Sequence, residues 1–250
     1  MQRITLGILM LSFLLSTAMG WCESVPPLSP QTILDRMEQR YESQIAEIAS
    51  YQALRRYEAS NPILEKPALR ILKEDYRGPE TRSFQVVERS GPGYMDRLLF
   101  NRLMEVDSET ARGAVRIQVD LCRRNYDFHF EKYDLATNLY LFRVSPRTAH
   151  PYLFRGSVWI DGEDFAVRRI EGSPAKRPSV WVRKTNFVHE FGKFGDYWFP
   201  IHHRSEAQLR VFGTSTLDIT YSNYQWQTTP QAGLVQKSSE SILSAKGELQ

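Results

Sequence analysis

The sequence predicts an α+β domain, a meandering antiparallel sheet of about ten strands accompanied by two amphipathic helices. Three observations predict it. Short runs rich in Val, Ile, Phe, Tyr and Trp recur from residue 50 to residue 226, with turn signals such as Gly91-Pro92-Gly93 and Gly192 between them. Some runs alternate: Ile201, Ala207, Leu209 and Val211 share one face of 197–212, while Arg204, Glu206, Gln208 and Arg210 share the other, as in a sheet with one wet side. Two stretches, 30–49 and 94–106, instead space their apolar residues by three and four.

Residues 1–20 read as an export signal: Arg3 supplies the positive charge, Ile4 to Leu15 the apolar stretch, and Ala18-Met19-Gly20 the small-x-small cleavage pattern. Residues 21–29 read as a flexible leader containing Val25-Pro26-Pro27. Cys22 stands where a lipid could be attached, but lipobox processing wants a small residue before it. Trp21 occupies that position, so a soluble exported form is expected over a lipid-anchored one.

Ser29-Pro30 supplies an N-cap and a proline at the first helical position, and Ile33, Leu34, Met37, Tyr41, Ile45 and Ile48 form the apolar stripe of a helix over 30–49. Its other face carries Asp35, Arg36, Glu38, Gln39, Arg40 and Glu42. Strands are expected at 50–58, 69–77 and 81–90. A second helix follows over 94–106, on Met95, Leu98, Leu99, Leu103 and Val106, and 107–124 reads as a loop or frayed helical segment. Further strands are expected at 125–133, 138–145, 153–161, 164–171, 178–191, 197–212 and 215–226. One domain, 30–228, is then followed by a Ser-, Gln- and Lys-rich, loosely ordered tail, 229–250. After the leader no segment reaches the roughly 20 apolar residues of a bilayer span.

Between 164–171 and the strand before it, Asp161, Glu163 and Asp164 crowd three carboxylates into four positions. A calcium loop would need oxygen ligands at alternating positions over about a dozen residues. Here the pattern stops at Phe165, and Asp161-Gly162 is hairpin chemistry, so a solvated turn is expected rather than a cation site.

The chain carries 32 Lys and Arg against 29 Asp and Glu, a formal charge of +3, and without Arg3 the balance is 31 against 29. The two signs are interspersed, as in Arg55-Arg56 then Glu58, which argues against nucleic-acid binding. Two cysteines, Cys22 and Cys122, exclude a disulfide-dense scaffold, and whether they pair is open. There is no G-x-S-x-G, no P-loop and no G-x-G-x-x-G turn. Of His129, His150, His189, His202 and His203 only the last two are close in sequence, and adjacent strand residues point to opposite faces. The expectation is no catalytic group, no metal and no cofactor.

Several strands carry apolar residues on both faces. Val180, Val182 and Val188 oppose Trp181, Phe187 and Phe191; Leu139 and Leu141 oppose Tyr140, Phe142 and Val144; Tyr126, Phe128 and Phe130 stack on one side. Such strands want a covering layer on the second face or an apolar cavity there. The candidates to line a cavity are Ile33, Met37 and Ile45 of the first helix, with Tyr126, Phe128, Phe130, Trp181, Phe187, Ile201, Leu209 and Ile219 of the sheet.

The stretch LFRGSVWIDGEDFAVRRIEGSPAKRPSVWVRKTNF, then FGDYWFPIHHRSEAQLRVFG, then TLDITYSNY, with WID-x-EDF-A-V-x-RIEG-x-PAK as its most specific phrase, resembles bacterial exported outer-membrane lipoprotein-sorting proteins of the LolA, LolB and RseB group. The leader, first helix and first strand fit too. The resemblance implies an open, unclosed barrel, a curved antiparallel sheet whose concave face is covered by helices around an apolar hollow for acyl chains. It implies a monomeric periplasmic protein, non-enzymatic, carrying a lipid or the acyl chains of a lipoprotein and meeting envelope membrane proteins. The alternative it leaves is an envelope sensor or scaffold of the same fold that binds a protein partner.

Overall fold

The computed structural model describes residues 28–63, 66–78, 81–95, 99–177, 180–211 and 213–229. The expected export signal, residues 21–27 of the expected leader with Cys22, and the tail beyond residue 229 lie outside these residues.

The first element is helix α1 (Pro30–Glu47). Ser29 caps it by accepting the Thr32 N–H at 3.2 Å, with Pro30 at the start. It ends before the expected residue 49. Ile48 is already extended (φ −83°, ψ 105°), so it leaves the helical stripe and heads the buried row of the first strand.

Ten strands follow: β1 (Ile48–Ser60), β2 (Ala68–Arg77), β3 (Thr81–Ser90), β4 (Tyr126–Asp134), β5 (Leu139–Pro146), β6 (Phe154–Asp161), β7 (Val167–Pro174), β8 (Val182–Phe194), β9 (Tyr197–Leu209) and β10 (Gly213–Thr228). They form one ten-stranded antiparallel sheet in the order β3-β2-β1-β10-β9-β8-β7-β6-β5-β4. β10 returns along β1 and joins the two meanders. Edges β3 and β4 do not meet, so the sheet stays open, and with this many strands the native twist curls it around its inner face.

Between the two edges run α2 (Gly93–Met95), α3 (Asn101–Ala111) and α4 (Gly113–Val119). This shifts the expected 94–106 helix, and of the two readings of 107–124, loop or frayed helical segment, the helical one describes its first part. Leu99, Phe100, Leu103 and Met104 are the side chains that pack inward, so α3 begins later and continues to Ala111. Of the expected stripe, Leu98 and the Met95 side chain lie outside the described residues.

The helices divide the inner face. Ile33, Leu34 and Met37 of α1 bury against Tyr126, Tyr140, Phe142, Val144, Val158 and Ile160 of β4, β5 and β6. Phe100 and the following turns of α3 cover Tyr57, Leu72 and Ile219 of β1, β2 and β10. Each fully buried Ile or Met contributes about 1.5–3 kcal/mol, so α1 is held by its first half. Its second half is fastened by Gln44, which donates to Trp198 O at 2.7 Å and accepts the Trp198 N–H at 2.9 Å.

One irregularity re-aims side chains. Along β9 the expected alternation holds to its end at Leu209, with Arg204, Glu206 and Gln208 exposed, but Val211, expected on the inner face, lies past the strand and is 68% exposed. In β10, Asn223 (φ 56°) sits where the pairing with β1 slips, and this bulge puts Tyr224 and Trp226 with Tyr51 and Phe199 on the inner face.

The acidic tip is a turn, but not the one expected. Gly162 is required by close approach, since a Cβ there would lie 2.1 Å from Asn138 Oδ1 on the β4–β5 tip. The left-handed residue is Phe165 (φ 61°), whose ring is buried under the Arg36 guanidinium 4.8 Å away, and β7 therefore starts at Val167 rather than 164. Asp161 Oδ1 accepts the Glu163 N–H at 3.0 Å, a local Asx turn. Asp164 is more than decoration: its Oδ2 accepts the Trp198 indole N–H at 2.8 Å and lies 2.9 Å from Lys193 Nζ, joining the tip to the β8–β9 hairpin.

Candidate functional site

Where the two helical plugs leave the inner face uncovered there is a cavity of 390 Å³. α1 contributes Met37, Arg40, Tyr41, Gln44 and Ile45; α3 and α4 contribute Asp107, Thr110, Ala111 and Arg116. The sheet contributes Ile48, Tyr51, Arg55, Tyr76, Arg82, Val167, His189, Phe191, Trp198, Phe199, Pro200 and Tyr221, with Ala166 from the tip before β7. A second cavity of 580 Å³ between α1 and α4 shares Tyr41, Ile45, Ile48 and Arg116 with it.

Of the residues singled out from sequence, Met37 and Ile45 line this hollow. Ile33, Tyr126, Phe128 and Phe130 are brought together, but into the packed core under α1, with Phe142 meeting Phe130 edge-on at 5.4 Å. Ile219 lies beneath α3. Phe187 stands between Phe154, 5.6 Å away, and His203, 5.8 Å away. Ile201 falls where the β8–β9 register slips, against Gly192. Leu209 closes β9, paired with Val182 and Gly213, and Trp181 is 65% exposed ahead of β8. Alternation gives parity, not depth: the aromatic row of β4 is covered because α1 lies on it, and Trp181 precedes the strand that would have turned it inward.

The hollow also carries buried charge beside its apolar wall. Arg55 (4% exposed) donates from Nε to Glu74 Oε2 at 2.5 Å and from Nη2 to Glu74 Oε1 at 2.6 Å, a two-pronged pair with a carboxylate that is 0% exposed. Its Nη1 also donates to Asp107 and, at 3.2 Å, to the Tyr57 hydroxyl. Arg82 Nε lies 3.0 Å from Glu74 Oε1, and Tyr51 donates its hydroxyl to the same oxygen at 3.0 Å. Phe84 and Tyr221 flank the Arg55 guanidinium at 5.1 and 5.0 Å. Burial works against the Arg55 cation, but Asp107 and Glu74 outweigh it and hold its pKa well above the usual value. Burial likewise pushes the Tyr57 phenol up to about 12 and Tyr221 well above the ordinary tyrosine value.

Beside this network His189 and His203 face each other across the β8–β9 ladder with their Nδ1 atoms 3.1 Å apart, one ring donating and the other accepting. Burial, with His203 and Arg55 adding repulsion, lowers His189 to about 3; burial lowers His203 to about 4 against the pull of Asp107. Both rings are neutral at neutral pH. His202 points the other way, to Glu190 and Asp218. Among the described residues no three His, Cys, Asp or Glu side chains converge as metal ligands, and the carboxylates of the hollow are held in ion pairs. The arrangement is suited to holding a molecule with an apolar body and polar groups at one side.

Sequence reasoning missed Arg55, Glu74, Arg82 and Asp107. The signal was there in part: Arg55 shares its parity with Ala53, Tyr57 and Ala59, and Glu74 with Ala68, Leu72 and Tyr76, so each is a charge in the buried phase of its strand. Opposite charges in the buried phase of two hairpin-linked strands point to an internal pair.

No family model matches the chain, and no curated protein sequence matches it either. Among solved structures it is similar to a LolA-superfamily protein of Nitrosomonas europaea, at 12% identity and a TM-score of 0.47 over 82% of this chain and 96% of that one. It is similar to a DUF1329-family protein of Desulfovibrio piger at 13% identity and a TM-score of 0.45 over 79% and 92%. A third similar structure is a putative outer-membrane lipoprotein-sorting protein domain of Vibrio parahaemolyticus, at 12% identity and a TM-score of 0.46 over 79% and 93%. The solved structures that this open ten-stranded chain is similar to thus include LolA-superfamily, DUF1329 and lipoprotein-sorting domains.

Proposed function

We propose that this is an exported, non-enzymatic carrier of the bacterial envelope, periplasmic, that shelters a lipid or the acyl chain of a lipoprotein. The observation that carries the reading is the 390 Å³ cavity between α1 and the sheet, walled on one side by Met37, Ile45, Ile48, Phe191 and Phe199. Each methylene buried there contributes about 0.8 kcal/mol, so a chain binds without any reacting group.

The test is native mass spectrometry of the gently purified protein, with titration of a fluorescent fatty-acid probe. Co-purifying lipid and saturable probe binding are expected. Met37 is 2% exposed and reaches both core and cavity, so Met37→Ala should cost about 2–4 kcal/mol of stability, and Met37→Gln should weaken the probe several-fold in whatever fraction remains folded. A lipid-free protein that binds no probe would overturn the carrier. A partner-binding scaffold would then be the better reading, favoured by edge strand β3, where Val86 and Val87 are 44% and 61% exposed beside an unpaired strand edge.

A further inference from the structure

We propose that the hollow selects a single-chain anionic amphiphile, its carboxylate or phosphate head bound by Arg116 and Arg40 and its chain lying along the Ile45, Ile48 and Phe199 wall. The inference deepens the carrier reading and rests on it.

Charge is the first reason. Four arginines line the cavity, Arg40, Arg55, Arg82 and Arg116. Glu74 and Asp107 are consumed by Arg55 and Arg82. That leaves the two cations nearest the helices, and their partners are poor. The Nε of Arg116 is buried without a hydrogen-bond acceptor; its nearest carboxylate oxygen, Asp120 Oδ2, is 4.0 Å away, and the other oxygen of Asp120 already accepts the Tyr41 hydroxyl at 2.8 Å. The Nε of Arg40 is also buried without an acceptor, while its Nη2 donates to the Asp196 carbonyl. A buried guanidinium donor left unmatched is costly, and the cavity has three, the Nε atoms of Arg40, Arg82 and Arg116; Arg82 has a Glu74 carboxylate oxygen 3.0 Å away, whereas among the described residues Arg40 and Arg116 have none so close. An anion fits this better than a neutral group, because a planar guanidinium offers paired donors to a carboxylate or phosphate.

Position is the second. Arg116 lines both the inner hollow and the second cavity between α1 and α4, so a head held there is reachable through that cavity while the chain points inward. Size is the third. At 390 Å³ the hollow stands at the low end of the roughly 300–1,000 Å³ of ligand pockets, room for one acyl chain rather than a bundle of them.

The experiment displaces an uncharged fluorescent probe, N-phenyl-1-naphthylamine, from the full chain at low ionic strength and below micelle-forming concentrations. The competitors share one palmitoyl chain: palmitate, palmitoyl lysophosphatidic acid and uncharged monopalmitoylglycerol. Wild type should prefer at least one anion over the glycerol ester by about tenfold or more, as a charge-assisted hydrogen bond provides. Palmitate as the stronger identifies a free carboxylate, and the lysophosphatidate a phosphate monoester. Arg116→Gln should remove most of the preference without changing monopalmitoylglycerol binding, Arg116→Lys should restore part, and Arg40→Gln is the independent variant if Arg116→Gln does not fold. Equal affinity for charged and uncharged chains in wild type, or a preference intact in both Gln variants, overturns this inference and leaves the carrier standing. Failure of every chain and of the probe to bind removes the carrier reading together with it.

Discussion

Glu74→Gln should destabilise this protein by about 3–5 kcal/mol, the loss expected when one partner of a buried ion pair is removed and the other stays. Glu74 is 0% exposed and receives Arg55 Nε and Nη2 at 2.5 and 2.6 Å, the Tyr51 hydroxyl at 3.0 Å, and Arg82 at 3.0 Å. Gln keeps one acceptor oxygen but turns an amide N–H₂ toward Arg55 donors, and it removes the negative charge next to two buried cations. Arg55→Met should cost a similar amount, because it leaves Glu74 with Arg82 as its one cation, beside the Tyr51 hydroxyl, and Asp107 without Arg55. The double variant Arg55→Met/Glu74→Gln removes both charges from a site flanked by Tyr57, Phe84 and Tyr221. Its loss should therefore fall short of the sum of the single losses by at least about 2 kcal/mol. Urea unfolding of the four proteins at pH 7, with similar slopes, gives the cycle directly. Single losses under about 1 kcal/mol that simply add would refute the reasoning, since the pair would then be neither desolvated nor coupled.

Further outcomes follow from other sites. At the β6–β7 tip, Asp161→Asn should change stability by less than about 0.5 kcal/mol, because the amide oxygen still serves the Asx turn, whereas Asp164→Asn should cost about 1–2 kcal/mol. Burial opposes ionisation of Asp164, yet its bonds from Trp198, Lys193 and Ala166 hold its pKa below the usual carboxylate value; equal effects of the two substitutions in chemical denaturation would contradict this account. The His189–His203 pair makes stability acid-sensitive. Both folded pKa values, about 3 and about 4, lie below the unfolded 6.5, so the contribution is complete above pH 6.5 and is lost as pH falls toward 4. Moving from pH 7.5 to 5 should remove about 2–4 kcal/mol, and His189→Phe/His203→Leu should flatten that slope. Gly156→Ala should prevent normal folding or cost more than about 3 kcal/mol, since a Cβ there would lie 1.9 Å from the Glu171 carbonyl oxygen and 2.6 Å from Gly172 Cα; a soluble variant with a wild-type melting temperature would refute that close approach.

What the sequence by itself determined is the local order of the fold. Ser29-Pro30 with a stripe at three and four specifies a helix start, residue types specify strands at 69–77 and 81–90, and alternation along 204–209 specifies a wet face as well. Those signals are written over a few neighbouring residues, where backbone preference and side-chain parity act. Everything that depends on distance along the chain was decided only in three dimensions. β10 closing against β1 brings Tyr221 opposite Arg55, and the segment after β3 folds back so that Asp107 reaches the same guanidinium. α1 lies over β4, β5 and β6, which turns Tyr126, Phe128 and Phe130 from a possible cavity wall into core and leaves the hollow over Arg55 and His189 instead. Parity tells which way a side chain points, but whether it then meets a helix, a charge or an open cavity depends on which distant element covers it, and that is a property of the assembled sheet.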